Sequence, residues 1–229
     1  MEADFWHSRW QAGQIGFHEG AVNRMLAAHI GAVGLAPGAR LFLPLCGKTR
    51  DIAWLLGQGY RVAGAELSEI AVRQLFEELE TEPVIADMAG LRRFSAPGLD
   101  IFAGDIFALD ADLLGPVDAV YDRAALVALP EEMRLRYAAH LAAITAGAPQ
   151  LLVTFEYNQD RMEGPPFSIT EAEVARCHGA RFTIEPLGEA EVPGGLKGIC
   201  PARERALLLR PVYPFRVGSE PFSAAGTGG

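Results

Sequence analysis

The sequence predicts a doubly wound α/β domain, a mainly parallel sheet with helices on both faces. Two observations carry that expectation. Strand-like apolar runs alternate with helical patterns along most of the chain, which is the mark of βαβ connections. The stretch LFLPLCGKTRDIAWLLGQGYRVAGAELS, Leu41 to Ser68, also reads as strand, tight loop, helix, strand and then an acid, Glu66. In such a unit a carboxylate ending the second strand, about 20 residues beyond the first loop, is placed to accept hydrogen bonds from a ribose.

The elements follow in order. The start, MEADFWHSRW, is charged and aromatic where a signal peptide would be basic and then apolar. Within it Trp6 and Trp10 are spaced to share one face of a helix. A helical period runs over Val22 to Val33 and stops at Gly34 and Pro37. Leu41 to Leu45 and Arg61 to Glu66 are strand-like, with a helix over Arg50 to Gly57 between them. Ser68 is placed to N-cap a helix reaching Leu79. The polar insert Glu80 to Leu99 contains FSAPGLD, a turn or hairpin signal. Ile101 to Ala103 is a short strand and Val117 to Tyr121 a buried one. PEEMRLRYAAHLAAIT is a helix with Pro130 near its first turn. Gln150 to Tyr157 is the most hydrophobic strand, and Phe182 to Glu185 and Ala206 to Arg210 close the series as an antiparallel pair. The tail SAAGTGG has no apolar period and is expected to be disordered.

At 229 residues, half of them hydrophobic, the chain suits a single domain over residues 1–217, with an N-terminal lid over about 1–36 and a tail over 218–229. No apolar stretch approaches the length that spans a bilayer, and the protein is expected to be cytoplasmic. A formal net charge of -9 opposes binding to nucleic acid. The three cysteines, Cys46, Cys177 and Cys200, are odd in number and lack C-x-x-C spacing, so neither a disulfide framework nor a metal site is expected.

The first loop narrows the ligand. A dinucleotide fold places G-x-G-x-x-G there so that the backbone can approach a pyrophosphate. This loop reads P-L-C-G-K-T with Gly47 alone. The run Gly47-Lys48-Thr49 imitates the end of a P-loop, but Phe42 stands where that pattern needs its first glycine. What remains is an adenosine-bearing ligand without a pyrophosphate, a description that S-adenosylmethionine fits. Ligands of such sheets bind beyond the C-terminal strand ends. That directs attention to Cys46 and Lys48, Glu66, Asp105, Asp122 with Arg123, and the run Gly164-Pro165-Pro166-Phe167.

Taken together, FWHSRW and GFH near the N-terminus, PLCGK in the first loop, GAELS at the second strand, YDRAALVALP with MRLRYAAHL, and EGPPF resemble the thiopurine S-methyltransferase family, in its bacterial branch. The likeness covers about residues 4 to 210. It implies a Rossmann-like class I methyltransferase fold with a seven-stranded sheet in the order 3-2-1-4-5-7-6, S-adenosyl-L-methionine as methyl donor, S-adenosyl-L-homocysteine as product, and a monomer. By the same resemblance Trp10, Leu45, Glu66 and Arg123 hold the cofactor, Trp6 and Phe17 belong to an aromatic lid, and Asp105 and Ile106 flank the adenine. The acceptor side falls to Phe17, Pro166, Phe167 and Arg123. The implied acceptor is a small thiol, a thiopurine or a related heterocycle; bacterial relatives that methylate selenium or tellurium compounds supply the alternative. The chain lacks an arginine near Pro193-Gly194-Gly195 where animal members carry a second acceptor-side one, leaving Lys197, Arg203 or Arg205 as substitutes. A non-catalytic S-adenosylmethionine-binding protein is the alternative of another class.

Each site has a plainer reading. Glu66 as a solvated strand end, Trp6 as core, Asp122 with Arg123 as a surface ion pair, and His18 as a hydrogen-bonded structural residue are the competitors. Cys46 is expected to pack closely and not to act as a nucleophile. The PPF run resembles the (D/N)-P-P-(Y/F) signature of amino-group DNA methyltransferases, but here it follows the fifth strand, and it is expected to stiffen a loop over the acceptor.

Overall fold

The computed structural model describes residues 3–14 and 20–212. Phe17, His18 and the SAAGTGG tail lie outside the described residues.

Two helices precede the sheet, α1 (Ala3–Gln11) and α2 (Arg24–Val33). Asn23 begins α2 because its side chain accepts the otherwise unpaired amides of Met25 and Leu26, and Gly34 ends it in the left-handed conformation, φ 78°. The first parallel unit is β1 (Arg40–Pro44), α3 (Arg50–Gly57) and β2 (Arg61–Glu66), close to the sequence expectation. Helix α4 (Glu69–Glu78) follows. Ser68 stands at its N-cap, yet its hydroxyl caps nothing. The Ser68 amide is instead donated to Glu66 Oε1.

Within the polar insert β3 (Val84–Met88) and β4 (Leu91–Ala96) form an antiparallel hairpin, and β4 pairs antiparallel with β5 (Leu99–Ala103) across a turn that falls within FSAPGLD, as its turn or hairpin signal predicts. Ala89 and Gly90, both at positive φ, close the two-residue turn of the first hairpin. The remaining elements are α5 (Ala111–Leu114), β6 (Ala119–Arg123), α6 (Glu131–Ile144), β7 (Gln150–Tyr157), α7 (Glu171–His178), β8 (Phe182–Glu191) and β9 (Ala202–Pro211).

Among the described residues the strands form one sheet of nine, in the order β3-β4-β5-β2-β1-β6-β7-β9-β8. This corrects the expected seven. The expected order survives inside it as β5-β2-β1-β6-β7-β9-β8, and the β3–β4 hairpin is added at one edge. The five central strands are parallel; β9 runs antiparallel to β7 and to β8. Strands β8 and β9 are longer than expected, because the added residues lie on a half-exposed ribbon whose sequence carries no apolar run.

Side chains alternate across the sheet. Leu41, Leu43, Tyr121, Leu151 and Leu208 enter the layer under α2, α3 and α4, with Leu26, Leu55 and Leu75. Phe42, Val120, Leu152, Leu207 and Leu209 face α5, α6 and α7, with Leu114, Leu141 and Val174. Each fully buried leucine contributes about 1.5–3 kcal/mol of transfer free energy, so both helical layers are held chiefly by this burial. No helix among the described residues is long and apolar enough to cross a membrane.

One buried polar group works against stability. His178 ends α7, fully enclosed, with no hydrogen-bond partner on either ring nitrogen among the described residues. Burial, followed by Arg181, lowers its pKa to about 4. The unfolded imidazole titrates near 6.5. The full stability is therefore present above about pH 6.5 and is lost as pH falls toward 4, by about 2 kcal/mol near pH 5. His178→Leu is expected to flatten that decline, which urea unfolding of both proteins at acid and neutral pH would measure; an unchanged slope would place the acid sensitivity elsewhere.

Candidate active site

The parallel strands β2, β1 and β6 end side by side, and a cavity of about 380 Å³ opens above them. That size suits a small-molecule site. The loop after β1 makes its floor. Leu45 and Gly47 both have positive φ, 47° and 54°, which turns the chain sharply out of the strand. Thr49 then caps α3 by accepting the Asp51 amide. A side chain on Gly47 would meet the Trp10 indole at 3.4 Å, an ordinary van der Waals contact, so the left-handed backbone and not a lack of room favours glycine there.

Glu66 joins this loop to the next. Its Oε2 accepts the Gly47 amide at 2.8 Å and its Oε1 the Ser68 amide at 2.8 Å. Burial raises its pKa; the amides of Ser68, Gly47 and Leu67 oppose that rise. The two oxygens together can accept about four hydrogen bonds, so the carboxylate keeps capacity for a ligand hydroxyl. Lys48 is tied away from this point, its Nζ donating to Glu78 Oε1 at 2.7 Å.

Cys46 packs under the loop. A side chain at Gly64 would come within 2.9 Å of its Sγ. Burial, then the charge of Glu66, pushes the Cys46 thiol well above its usual range, which removes it as a nucleophile.

At the end of β6 the pleat separates neighbours that look like a pair in sequence. Tyr121 and Arg123 face the cavity. Asp122 faces the opposite layer, where its carboxylate accepts the Tyr137 hydroxyl at 2.6 Å and the Leu126 amide at 3.2 Å. It therefore holds the loop that follows β6.

The remaining walls are apolar on one side and polar on the other. Trp6, Trp10, Val127, Phe155, Pro165 and Pro166 supply apolar surface. Lys197 enters from the β8–β9 loop and donates to the Pro165 carbonyl at 2.7 Å. Burial, and then Arg9, lowers its pKa. Arg203 and Arg205 lie on β9 outside the cavity, paired with Glu189 and with Glu156 and Glu171. Of the three basic candidates, only Lys197 reaches the cavity.

The structure thus gathers Trp6, Trp10, Leu45, Glu66, Arg123 and Pro166 around one space. Asp105 and Ile106 stand one strand away, beyond β5. Asp105 accepts the Phe107 amide, and Gly104 donates to the Glu66 carbonyl, which keeps that loop beside the Glu66 end of the site. Phe167 turns away, its ring under the Arg134 guanidinium. Sequence reasoning missed Asp51, Tyr121, Arg24 and Glu204, all lining the cavity. Tyr121 was open to discovery, being two residues before Arg123 on one strand and hence on the same face. Arg24 and Glu204 come from distant segments and carry no local signal. No group of metal-ligating side chains is present among the described residues.

Comparison with known proteins gives the same outline. The sequence pattern of the thiopurine S-methyltransferase family matches residues 1–196. Thiopurine S-methyltransferase of Xanthobacter autotrophicus is 61% identical over 210 residues, covering 91% of this chain and 99% of that one. That of Gluconobacter oxydans is 50% identical over 212 residues, covering 93% and 96%. Among solved structures, 1,6-didemethyltoxoflavin-N1-methyltransferase of Burkholderia thailandensis superposes with a TM-score of 0.63 at 20% identity, covering 91% of this chain and 87% of that one. Magnesium protoporphyrin IX methyltransferase of Synechocystis, with bound S-adenosylhomocysteine, gives 0.60 at 16% identity, covering 92% and 100%. These likenesses establish the Rossmann-like class I methyltransferase fold.

Asp122 yields a test of the local electrostatics. Desolvation raises its pKa to about 6 despite the Tyr137 and backbone hydrogen bonds. The stabilising effect of that shift is present below the unfolded value near 3.9 and is lost as pH rises through 6, about 3 kcal/mol in all. Asp122→Asn is expected to gain stability on the parent by up to that amount between about pH 4 and 7. Parallel stability curves in chemical denaturation would show that the carboxylate is not charged at the cost inferred.

Proposed function

The chain belongs to the thiopurine S-methyltransferase family, and from that premise we propose that it methylates the sulfur of a thiopurine or related heteroaromatic thiol. It is an S-adenosylmethionine-dependent methyltransferase. The observation that most supports the acceptor class is the pairing of an apolar slot with positive charge. Arg123 and Lys197 enter a cavity otherwise walled by Val127, Phe155, Pro165 and Pro166 on that side. This suits a flat, anionic heterocycle. In this reading the protein acts as a cytoplasmic monomer.

The residues present fit the cofactor. Glu66 stands at the end of the second strand with hydrogen-bonding capacity left on its carboxylate, and the loop at Gly47 lies against Trp10. Glu66 holds the ribose, while Trp10, Leu45 and Trp6 cover the donor and exclude water. When bound, the cofactor supplies a methyl group made electrophilic by its attachment to a positively charged sulfur. Arg123 then orients the acceptor anion toward it, aided by Lys197. A heteroaromatic thiol is acidic enough to present its anion near neutral pH, so alignment and water exclusion take the place of a dedicated general base.

Two measurements follow. Glu66→Gln is expected to weaken cofactor binding about tenfold or more in calorimetry. Because burial raises the Glu66 pKa, the parent's affinity should fall as acidification protonates the carboxylate, whereas the variant's should stay flat; equal affinities would remove Glu66 from the ribose. Arg123→Ala should lower kcat/KM for 6-mercaptopurine roughly 10- to 100-fold. Running the same panel with simple thiols and selenite separates acceptors: preference for selenite would replace the thiol reading. Cofactor binding with no S-adenosylhomocysteine formed on any acceptor would replace it with a sensor.

A further inference from the structure

Two loops make the apolar wall on the acceptor side of the cavity. The loop after β6 supplies Ala124, Val127 and Ala128, and the loop after β7 supplies Pro165 and Pro166. Behind the wall they are joined, the Phe167 amide donating to the Val127 carbonyl at 2.6 Å. The Phe167 ring folds back over Gly164, where a side chain would meet it at 2.6 Å.

Arg134, on α6, reaches both loops from this far side and is only 6% exposed. Its Nε donates to the Leu129 carbonyl at 3.0 Å, two residues past Val127. Its guanidinium lies 5.4 Å from the centre of the Phe167 ring, next in sequence to Pro166. Its Nη1 donates to Glu173 Oε1 on α7 at 3.2 Å, which supplies the counter-charge that a buried guanidinium needs. Packing of α6 on α7 would require only that ion pair. The two further contacts are to the loops, and a planar, rigid guanidinium holds them at one spacing. The loop after β7 is tied on its other side as well. Lys197 donates to the Pro165 carbonyl at 2.7 Å, the Tyr157 hydroxyl to the Pro166 carbonyl at 2.6 Å, and the Ser168 amide to Gln159 Oε1 at 2.8 Å.

We propose that Arg134 is a positioning and specificity-determining residue for the acceptor: without touching it, Arg134 fixes the width of the slot between Val127 and the Pro165 and Pro166 pair. The proposal rests on the reading that a heteroaromatic thiol occupies that slot. Phe167 is the other half of the brace, a positioning residue in the same sense. Methyl transfer depends steeply on alignment, a misplacement of about 1 Å costing on the order of 100-fold. A two-ring acceptor spans more of both loops than a one-ring acceptor, so it depends more on their spacing.

Steady-state kinetics on the full chain with 6-mercaptopurine and the one-ring thiol 2-mercaptopyridine test this, beside calorimetric binding of S-adenosylhomocysteine. Arg134→Lys keeps the charge next to Glu173 and gives up the planar fork. Phe167→Leu keeps apolar bulk, leaves the buried ion pair intact, and decides the matter alone if Arg134→Lys does not fold. In each variant the ratio of kcat/KM for 6-mercaptopurine to that for 2-mercaptopyridine is expected to fall roughly 10-fold, chiefly through KM, with S-adenosylhomocysteine affinity kept within about twofold. An unchanged ratio in either folded variant would overturn the proposal. So would a loss of S-adenosylhomocysteine affinity that matches the loss of activity, the result of a general loosening of the fold. A parent protein that binds S-adenosylhomocysteine and methylates neither thiol would instead defeat the thiol reading, and the proposal with it.

Discussion

The site depends on one carboxylate. Glu66 accepts an amide from each of two loops, Gly47 after β1 and Ser68 after β2, and so clamps together the ends of two parallel strands. Removing a carboxylate from water is costly, and its raised pKa records that cost. The backbone amides offset it without adding any side chain that would block the cavity. A lysine or arginine partner would have neutralised the charge and filled space that the cavity keeps open. Strand ends in a parallel sheet supply such amides for nothing more than a turn, which is why the acid stands there.

A similar economy governs the opposite strand. The pleat of β6 sends Tyr121 and Arg123 to the cavity and Asp122 to the helix layer. One buried acid, Asp122, holds the loop that carries Leu126, while another, Asp51, stands across the sheet against Tyr121. Buried polar groups of this kind fix geometry and reduce stability together, and His178 adds to the same burden from α7. The apolar layers on both faces of the sheet must outweigh them, and the doubly wound arrangement gives each face its own core.

Much of this was legible in advance, for identifiable reasons. The segment from β1 to β2 is a local unit, so its strand, turn, helix and acid are fixed by nearby residues, and the boundaries of α3, β2 and β7 fell where the apolar periods placed them. The β3–β4 hairpin is hard to see in the sequence because its outer strand is short and largely exposed, flanked by charged and Gly/Pro-punctuated stretches. Ser68 stands at the N-cap where the sequence places it, but its hydroxyl accepts no helix amide, because the pattern fixes the residue and not the direction of its hydroxyl.

By itself the sequence determined the α/β alternation, a first loop without the glycine pattern of a pyrophosphate site, the Glu66 position and the family wording in PLCGK and DRAALVAL. These are local patterns, written within one βαβ unit or one strand end. Only the tertiary structure decided which charges share the cavity. It brought Glu204 to Asn23 across 181 positions and Lys197 to Pro165 across 32, and it separated Asp122 from Arg123 across the sheet. Such meetings depend on strand order and register, which close contacts between segments that carry no sign of one another along the chain.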